Sequence, residues 1–142
     1  SEKSSDLLVG DSNVFDSAPT KPANPSFLAF EKGSLSVKFE LLKEDLNAPA
    51  STKITAKFYN SGFEPLEKFV FQAAVPKYIT MRLLPATANM IPTGNQEVEQ
   101  IIMVTNEAYG TKDLMMRIKV SYTENGESVQ EMVQISNFPQ GY

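Results

Sequence analysis

The chain has 142 residues, a net charge of −4, 42% apolar and 21% charged side chains, and neither histidine nor cysteine. That length supports one domain with a self-sufficient core, and the composition is that of an ordinary water-facing globular protein. The absent residue types exclude Ser-His-Asp and Cys-His catalysis, zinc sites of the usual ligands, and disulfides; the negative balance, with no Lys/Arg-rich run, argues against nucleic acid as a partner.

Residues 1–25 are dominated by Ser, Asp, Asn, Ala, Pro and Thr, with Pro19, Pro22 and Pro25 breaking any regular structure. They read as a flexible linker or hinge tail ahead of a domain over 26–142. Leu7-Leu8-Val9 and Val14-Phe15, each beside an aspartate, stand out in the tail as candidate peptide motifs. No secretory apolar run follows Ser1–Asp6 and no apolar stretch is long enough to span a bilayer, so a cytosolic location is expected, in keeping with the lack of disulfides.

From about Ser26 the pattern becomes that of β-strands. Leu35, Val37, Phe39 and Leu41 alternate with Ser36, Lys38 and Glu40, and Ile54, Ala56 and Phe58 alternate with Thr55 and Lys57; each predicts a half-buried strand. Asn60-Ser61-Gly62 marks a turn, after which Phe63 is expected to fold over the end of the core. Phe69-Val70-Phe71-Gln72-Ala73-Ala74-Val75-Pro76-Lys77 reads as a buried strand that stops at a proline, because Pro76 has no ladder hydrogen bond to donate.

A strand over Ile79-Met81-Leu83 follows, then a loop bracketed by Pro85 and Pro92 and closed by Thr93-Gly94-Asn95. Residues 97–105 alternate again. In the next strand Leu114, Met116, Ile118, Val120 and Tyr122 form one face, and Met115, Arg117, Lys119 and Ser121 the other. Tyr109-Gly110 reads as part of the turn before it. Asn125-Gly126 predicts a type I′ hairpin into Val129-Glu131-Val133-Ile135, since that turn needs positive φ at both central residues. About seven short strands with turns between them and no helical period predict an all-β antiparallel sandwich.

The acidic residues do not assemble a site. Glu64 and Glu67 lie at a loop, Glu97 and Glu99 on one strand face, and Glu124 and Glu127 at the hairpin, a distribution that suits solubility; no enzyme, metal or cofactor is expected. The cations are more informative. Arg117 and Lys119 project from the same face beside Met115, a positive patch on a negative protein. If the strand after Pro76 neighbours the Arg117 strand, Lys77 joins them, and Ala74, Pro76 and Leu83 provide an apolar shelf. Such a shelf with cations suits a short extended peptide carrying acidic residues. The same face, buried in an oligomer or against another domain, is the alternative.

Three segments carry a resemblance to a known family: Phe69 to Lys77, the strand from Leu114 to Tyr122, and Asn137-Phe138-Pro139. Over roughly residues 26–139 the chain resembles the γ-adaptin ear, the C-terminal appendage of the clathrin adaptor γ subunit and of the GGA monomeric adaptors. The resemblance implies an immunoglobulin-like sandwich of eight strands that binds short acidic, aromatic-Gly peptides of accessory trafficking proteins. It places such a protein on clathrin-coated vesicles, at the cytoplasmic face of the trans-Golgi network and endosomes. By the same resemblance Ala74, Pro76 and Lys77 form the groove wall, Leu83 a pocket, and Arg117 and Lys119 the basic rim, while Met115 stands where many relatives carry a basic residue. Leu7-Leu8-Val9-Gly10-Asp11 resembles a clathrin-binding box, and Phe15 beside Asp16 is a candidate for an ear groove, its own or a neighbour's.

Overall fold

A computed structural model describes residues 24–142; the tail motifs at Leu7, Leu8 and Phe15 lie outside the described residues. Eight strands follow one another: β1 (Ser26–Lys32), β2 (Leu35–Leu42), β3 (Ser51–Asn60), β4 (Leu66–Ala74), β5 (Ile79–Leu83), β6 (Val98–Asn106), β7 (Met116–Glu124) and β8 (Glu127–Ile135). They form a five-stranded sheet in the order β1-β2-β3-β6-β5 and a three-stranded sheet in the order β4-β7-β8, with every pairing antiparallel. Among the described residues there is no helix. The all-β sandwich expected from the alternation is the architecture observed.

Period-two side chains explain the core. On β2 and β3 Val37, Phe39, Leu41, Ile54, Ala56 and Phe58 are fully buried, while their sequence neighbours face out. The opposing sheet contributes Phe69 and Phe71 from β4 and Met116, Ile118, Val120 and Tyr122 from β7. Aromatic rings knit the two layers: Phe58 lies 4.7 Å from Phe69 and 5.3 Å from Phe71, and Phe39 meets Phe71 edge-on at 6.3 Å. Phe138, in the terminal segment singled out above, packs on Phe27 at 5.3 Å and on Phe39 at 6.0 Å.

Two bulges account for what alternation left unread. The strand β1 carries a register shift between Leu28 and Phe30, so its inward residues do not keep one parity and its sequence lacks a clean period. It is the eighth strand, added to the seven that the pattern gave. In β4 the register shifts between Glu67 and Val70 around Lys68, whose φ is 53°. Leu66 and Phe69, three residues apart, therefore both reach the core. The Asn125-Gly126 hairpin forms as expected, with φ of 51° and 79° at its two central residues.

The strand after Pro76 lies elsewhere than the sequence reading required. β5 pairs with β6 in the five-stranded sheet, and the neighbour of the Arg117 strand is β4, the strand before Pro76. Pro76 ends the β4 region by accepting a hydrogen bond at its carbonyl from the Ile79 amide (3.0 Å), a turn that carries the chain from one sheet to the other.

Candidate functional site

The outward face of the three-stranded sheet is built from cross-strand rungs. Ala74, Arg117 and Gln134 form one, Gln72, Lys119 and Met132 the next, and Val70, Ser121 and Gln130 a third. The residues between them on β7 are core, so strand geometry fixes Arg117 and Lys119 outward together. Directly opposite side chains in a sheet lie close enough to touch, which sets Arg117 between Ala74 and Gln134, and Lys119 beside the exposed Met132.

Two shallow hollows of about 240 Å³ each adjoin on this face. One is lined by Ala74, Val75, Pro76, Met115, Arg117 and Gln134, and the other includes Gln72, Ala74, Arg117, Lys119 and Met132. They share Ala74 and Arg117. No carboxylate lines either, and among the described residues neither Arg117 nor Lys119 takes part in a salt bridge. The arrangement offers greasy walls for small side chains and cations for anionic groups. Beyond Phe69 the outer edge of β4 has no main-chain partner among the described residues, whereas nearer its start Leu66 and Phe69 are hydrogen-bonded to Ile91 and Asn89.

The residues singled out in the sequence thus separate into two groups. Ala74, Pro76, Met115, Arg117 and Lys119 come together. Lys77 follows Pro76 in the exposed turn but lines neither hollow, and Leu83 sits half-buried on β5 in the other sheet, packed against the core. Gln134 and Met132 were missed because no local pattern on β8 reveals which of its residues oppose Arg117 and Lys119; the Asn125-Gly126 turn does fix that register.

The outward face of the five-stranded sheet has different electrostatics. The Lys57 ammonium lies 3.2 Å from a Glu40 oxygen and 3.7 Å from Glu97, and the Tyr59 hydroxyl donates to Glu97 at 2.6 Å. The Glu40 hydrogen bond raises the Lys57 pKa, while burial, and then the bond to Glu97, pushes the Tyr59 phenol up to about 12. The Tyr59 hydrogen bond is the main cause holding Glu97 below the usual carboxylate range, and contact with Glu97 raises neighbouring Glu99. These charges satisfy one another.

Phe63 departs from expectation. It is 98% exposed instead of folding over the core. Tyr109 lies in the β6–β7 connection as expected, with the Lys43 ammonium 4.3 Å from its ring centre.

Comparison with known proteins identifies the family. The profile of the adaptin C-terminal domain family matches residues 25–139. The AP-1 complex subunit gamma-2 of Arabidopsis thaliana is 43% identical over 141 residues, 96% of this chain and 16% of that protein. The ADP-ribosylation factor-binding protein GGA2 of Saccharomyces cerevisiae is 30% identical over 89% of this chain and 21% of its own length. The chain therefore spans about a fifth or less of these relatives. The crystal structure of the yeast GGA2p GAE domain superposes with a TM-score of 0.68 at 25% identity, covering 82% of this chain and 98% of that one. The chain belongs to the adaptin C-terminal domain family, and within it to the γ-adaptin ears.

Proposed function

We propose that this ear is the peptide-binding appendage of a clathrin adaptor, recruiting accessory proteins through short acidic, aromatic-Gly segments during transport at the trans-Golgi network and endosomes. The observation that carries the reading is the Ala74–Arg117–Gln134 rung, where a guanidinium with no carboxylate partner among the described residues lines both shallow hollows. An extended peptide lies against the open edge of β4, pairs its main chain there, and sets one or two apolar side chains against Ala74, Pro76 and Met115. Arg117, Lys119 and the nearby Lys77 draw its acids, quickening encounter more than deepening affinity.

A single short peptide buries little surface, so the expected affinity is micromolar, about −8 kcal/mol at 1 μM. Weak, repeated contacts suit a coat that assembles and comes apart, with avidity supplied by many copies. Leu83, on the other sheet, enters this reading as a flanking contact. The test is calorimetric titration of an acidic, aromatic-Gly peptide into the wild-type chain and into Lys77→Glu, Leu83→Ala and Arg117→Glu. Arg117→Glu is expected to weaken binding at least tenfold, Lys77→Glu severalfold, and Leu83→Ala least. Unchanged affinity in both charge reversals defeats the groove.

A further inference from the structure

Phe63 stands at the tip of the β3–β4 loop with its ring almost wholly in water. An isolated exposed leucine or methionine is unremarkable on a protein surface, but this loop is built to hold its tip in place. The side chain of Asn60, itself fully buried, grips the loop on both sides of the phenylalanine: its Oδ1 accepts from the Gly62 amide at 2.9 Å, and its Nδ2 donates to the Glu64 carbonyl at 2.7 Å. The Ser61 amide donates to the Ser34 carbonyl at 2.9 Å, tying the loop to the β1–β2 turn. Gly62 is required by close approach, since a Cβ there would lie 2.8 Å from the Ser34 Cβ. An exposed aromatic on a backbone already ordered in the free protein is the kind of anchor that carries binding energy at interfaces.

The surroundings of this knob are acidic. Glu64 and Glu67 follow it in sequence, and Leu66 pairs with Glu124, which itself faces Glu127 across the hairpin turn. Glu124 also accepts a hydrogen bond from Ser34, the residue against which Gly62 packs. Gly62-Phe63-Glu64 with these acids thus displays, on a folded loop, an aromatic beside a glycine among carboxylates. The complement is on the same molecule: the hollow at Ala74, Pro76, Met115 and Arg117, which no carboxylate lines. The two are out of each other's reach within one copy. They lie toward opposite ends of the sandwich, Glu124 closing β7 and Met116 opening it, roughly 26 Å apart at about 3.3 Å per residue.

From this complementarity we infer that the Phe63 tip of one copy seats in the Arg117 hollow of a second copy of this chain. The inference rests on reading that hollow as an acceptor for an acidic aromatic, and adds a folded occupant to the peptides proposed above. The contact is heterologous: donor and acceptor are different surfaces, so each bound copy still presents a free tip at one end and a free hollow at the other. Ears brought close together on a coat can then link in a row, and a peptide entering a hollow displaces its neighbour's tip. The area is small, so the contact is weak and depends on local concentration.

Sedimentation equilibrium of the full 142-residue chain tests it, with Phe63→Ala and Arg117→Glu alone and mixed in equal amounts. The wild type is expected to rise above monomer mass as its concentration approaches ~1 mM, the regime of such small contacts. Each variant alone should remain monomeric. The mixture should form a one-to-one dimer and nothing larger, because the intact tip of the Arg117→Glu chain fits the intact hollow of the Phe63→Ala chain. A wild type that stays monomeric, association that survives Phe63→Ala, or a mixture that fails to pair overturns the inference. Titrating the acidic, aromatic-Gly peptide into Phe63→Ala separates it from the peptide reading. Peptide binding by a wild type that does not self-associate removes the inference and leaves that reading standing. Pairing of the mixture without peptide binding does the reverse.

Discussion

On the five-stranded sheet Lys57 lies between Glu40 and Glu97, and Lys53 is within 3.7 Å of Glu44. On the three-stranded sheet Arg117 faces Ala74 and Gln134, and Lys119 faces Gln72 and Met132. Both faces come from strands with the same period of two, and both carry two outward cations on their central strands. What differs is the neighbour across the strand. On its central strand the first face pairs both cations with carboxylates and is closed there; the central-strand cations of the second meet no carboxylate among the described residues. A positive patch on a protein of net charge −4 therefore owes its existence to register more than to composition.

The largest expected effect comes from removing what both faces stand on. Phe71 is buried at 3% exposure and touches Phe39 and Phe58 of the opposite sheet. Phe71→Ala should cost about 3–5 kcal/mol in urea denaturation, the transfer term plus the cavity left between the layers. If the cost were under about 1 kcal/mol, the two sheets would not be sharing the core described, and comparing their outer faces would lose its basis.

Much of this was legible from the residues. The parity of Leu114 to Tyr122 set Arg117 and Lys119 outward, the Asn125-Gly126 pair fixed the last hairpin, and the alternation in Leu35–Leu41, in Ile54–Phe58 and over residues 97–105 gave three strands of one sheet. The unread parts share a physical cause: each depends on something a period cannot encode. β1 hides behind the bulge between Leu28 and Phe30. Leu83 joins Ala74 and Pro76 as one apolar shelf in the sequence reading, whereas the Pro76 turn sends the strands of Leu83 and Ala74 to different sheets. Phe63 was expected to cover the core because an exposed phenylalanine is costly; the buried Asn60 that holds its loop outward is recognisable only once Gly62 and Glu64 are seen around it.

A pair of neutralising substitutions sharpens the comparison at intermediate magnitude. Lys57→Met should lower stability by about 0.5–1 kcal/mol, because it removes a cation shared by two carboxylates and leaves Glu40 and Glu97 facing each other. Arg117→Met removes a cation with no carboxylate partner among the described residues, so its stability should change by about 0.3 kcal/mol or less while peptide affinity falls. Equal losses in the two variants would mean that Arg117 is paired as Lys57 is, and the distinction between closed and open faces would fail.

The smallest expected effect lies within the closed face and depends on pH. Glu99 has its pKa raised, chiefly by contact with Glu97, so its charged form is the one folding disfavours. For a carboxyl raised in the folded state the penalty is absent below the unfolded value, sets in as pH rises through it, and is complete above the folded value. Glu99→Gln removes that penalty, so it should raise the melting temperature at pH 7 by about 1–2 °C, corresponding to a few tenths of a kcal/mol at a largely solvated site. At pH 4 wild-type Glu99 is already mostly protonated and the gain should vanish. Glu97 gives the opposite sign: its pKa is depressed mainly by the Tyr59 hydrogen bond, so Glu97→Gln should destabilise at pH 7 and become neutral only below the ordinary carboxylate range. Opposite signs from two glutamates two residues apart would establish that this face balances its charges internally, since solvated carboxylates without specific partners would respond alike.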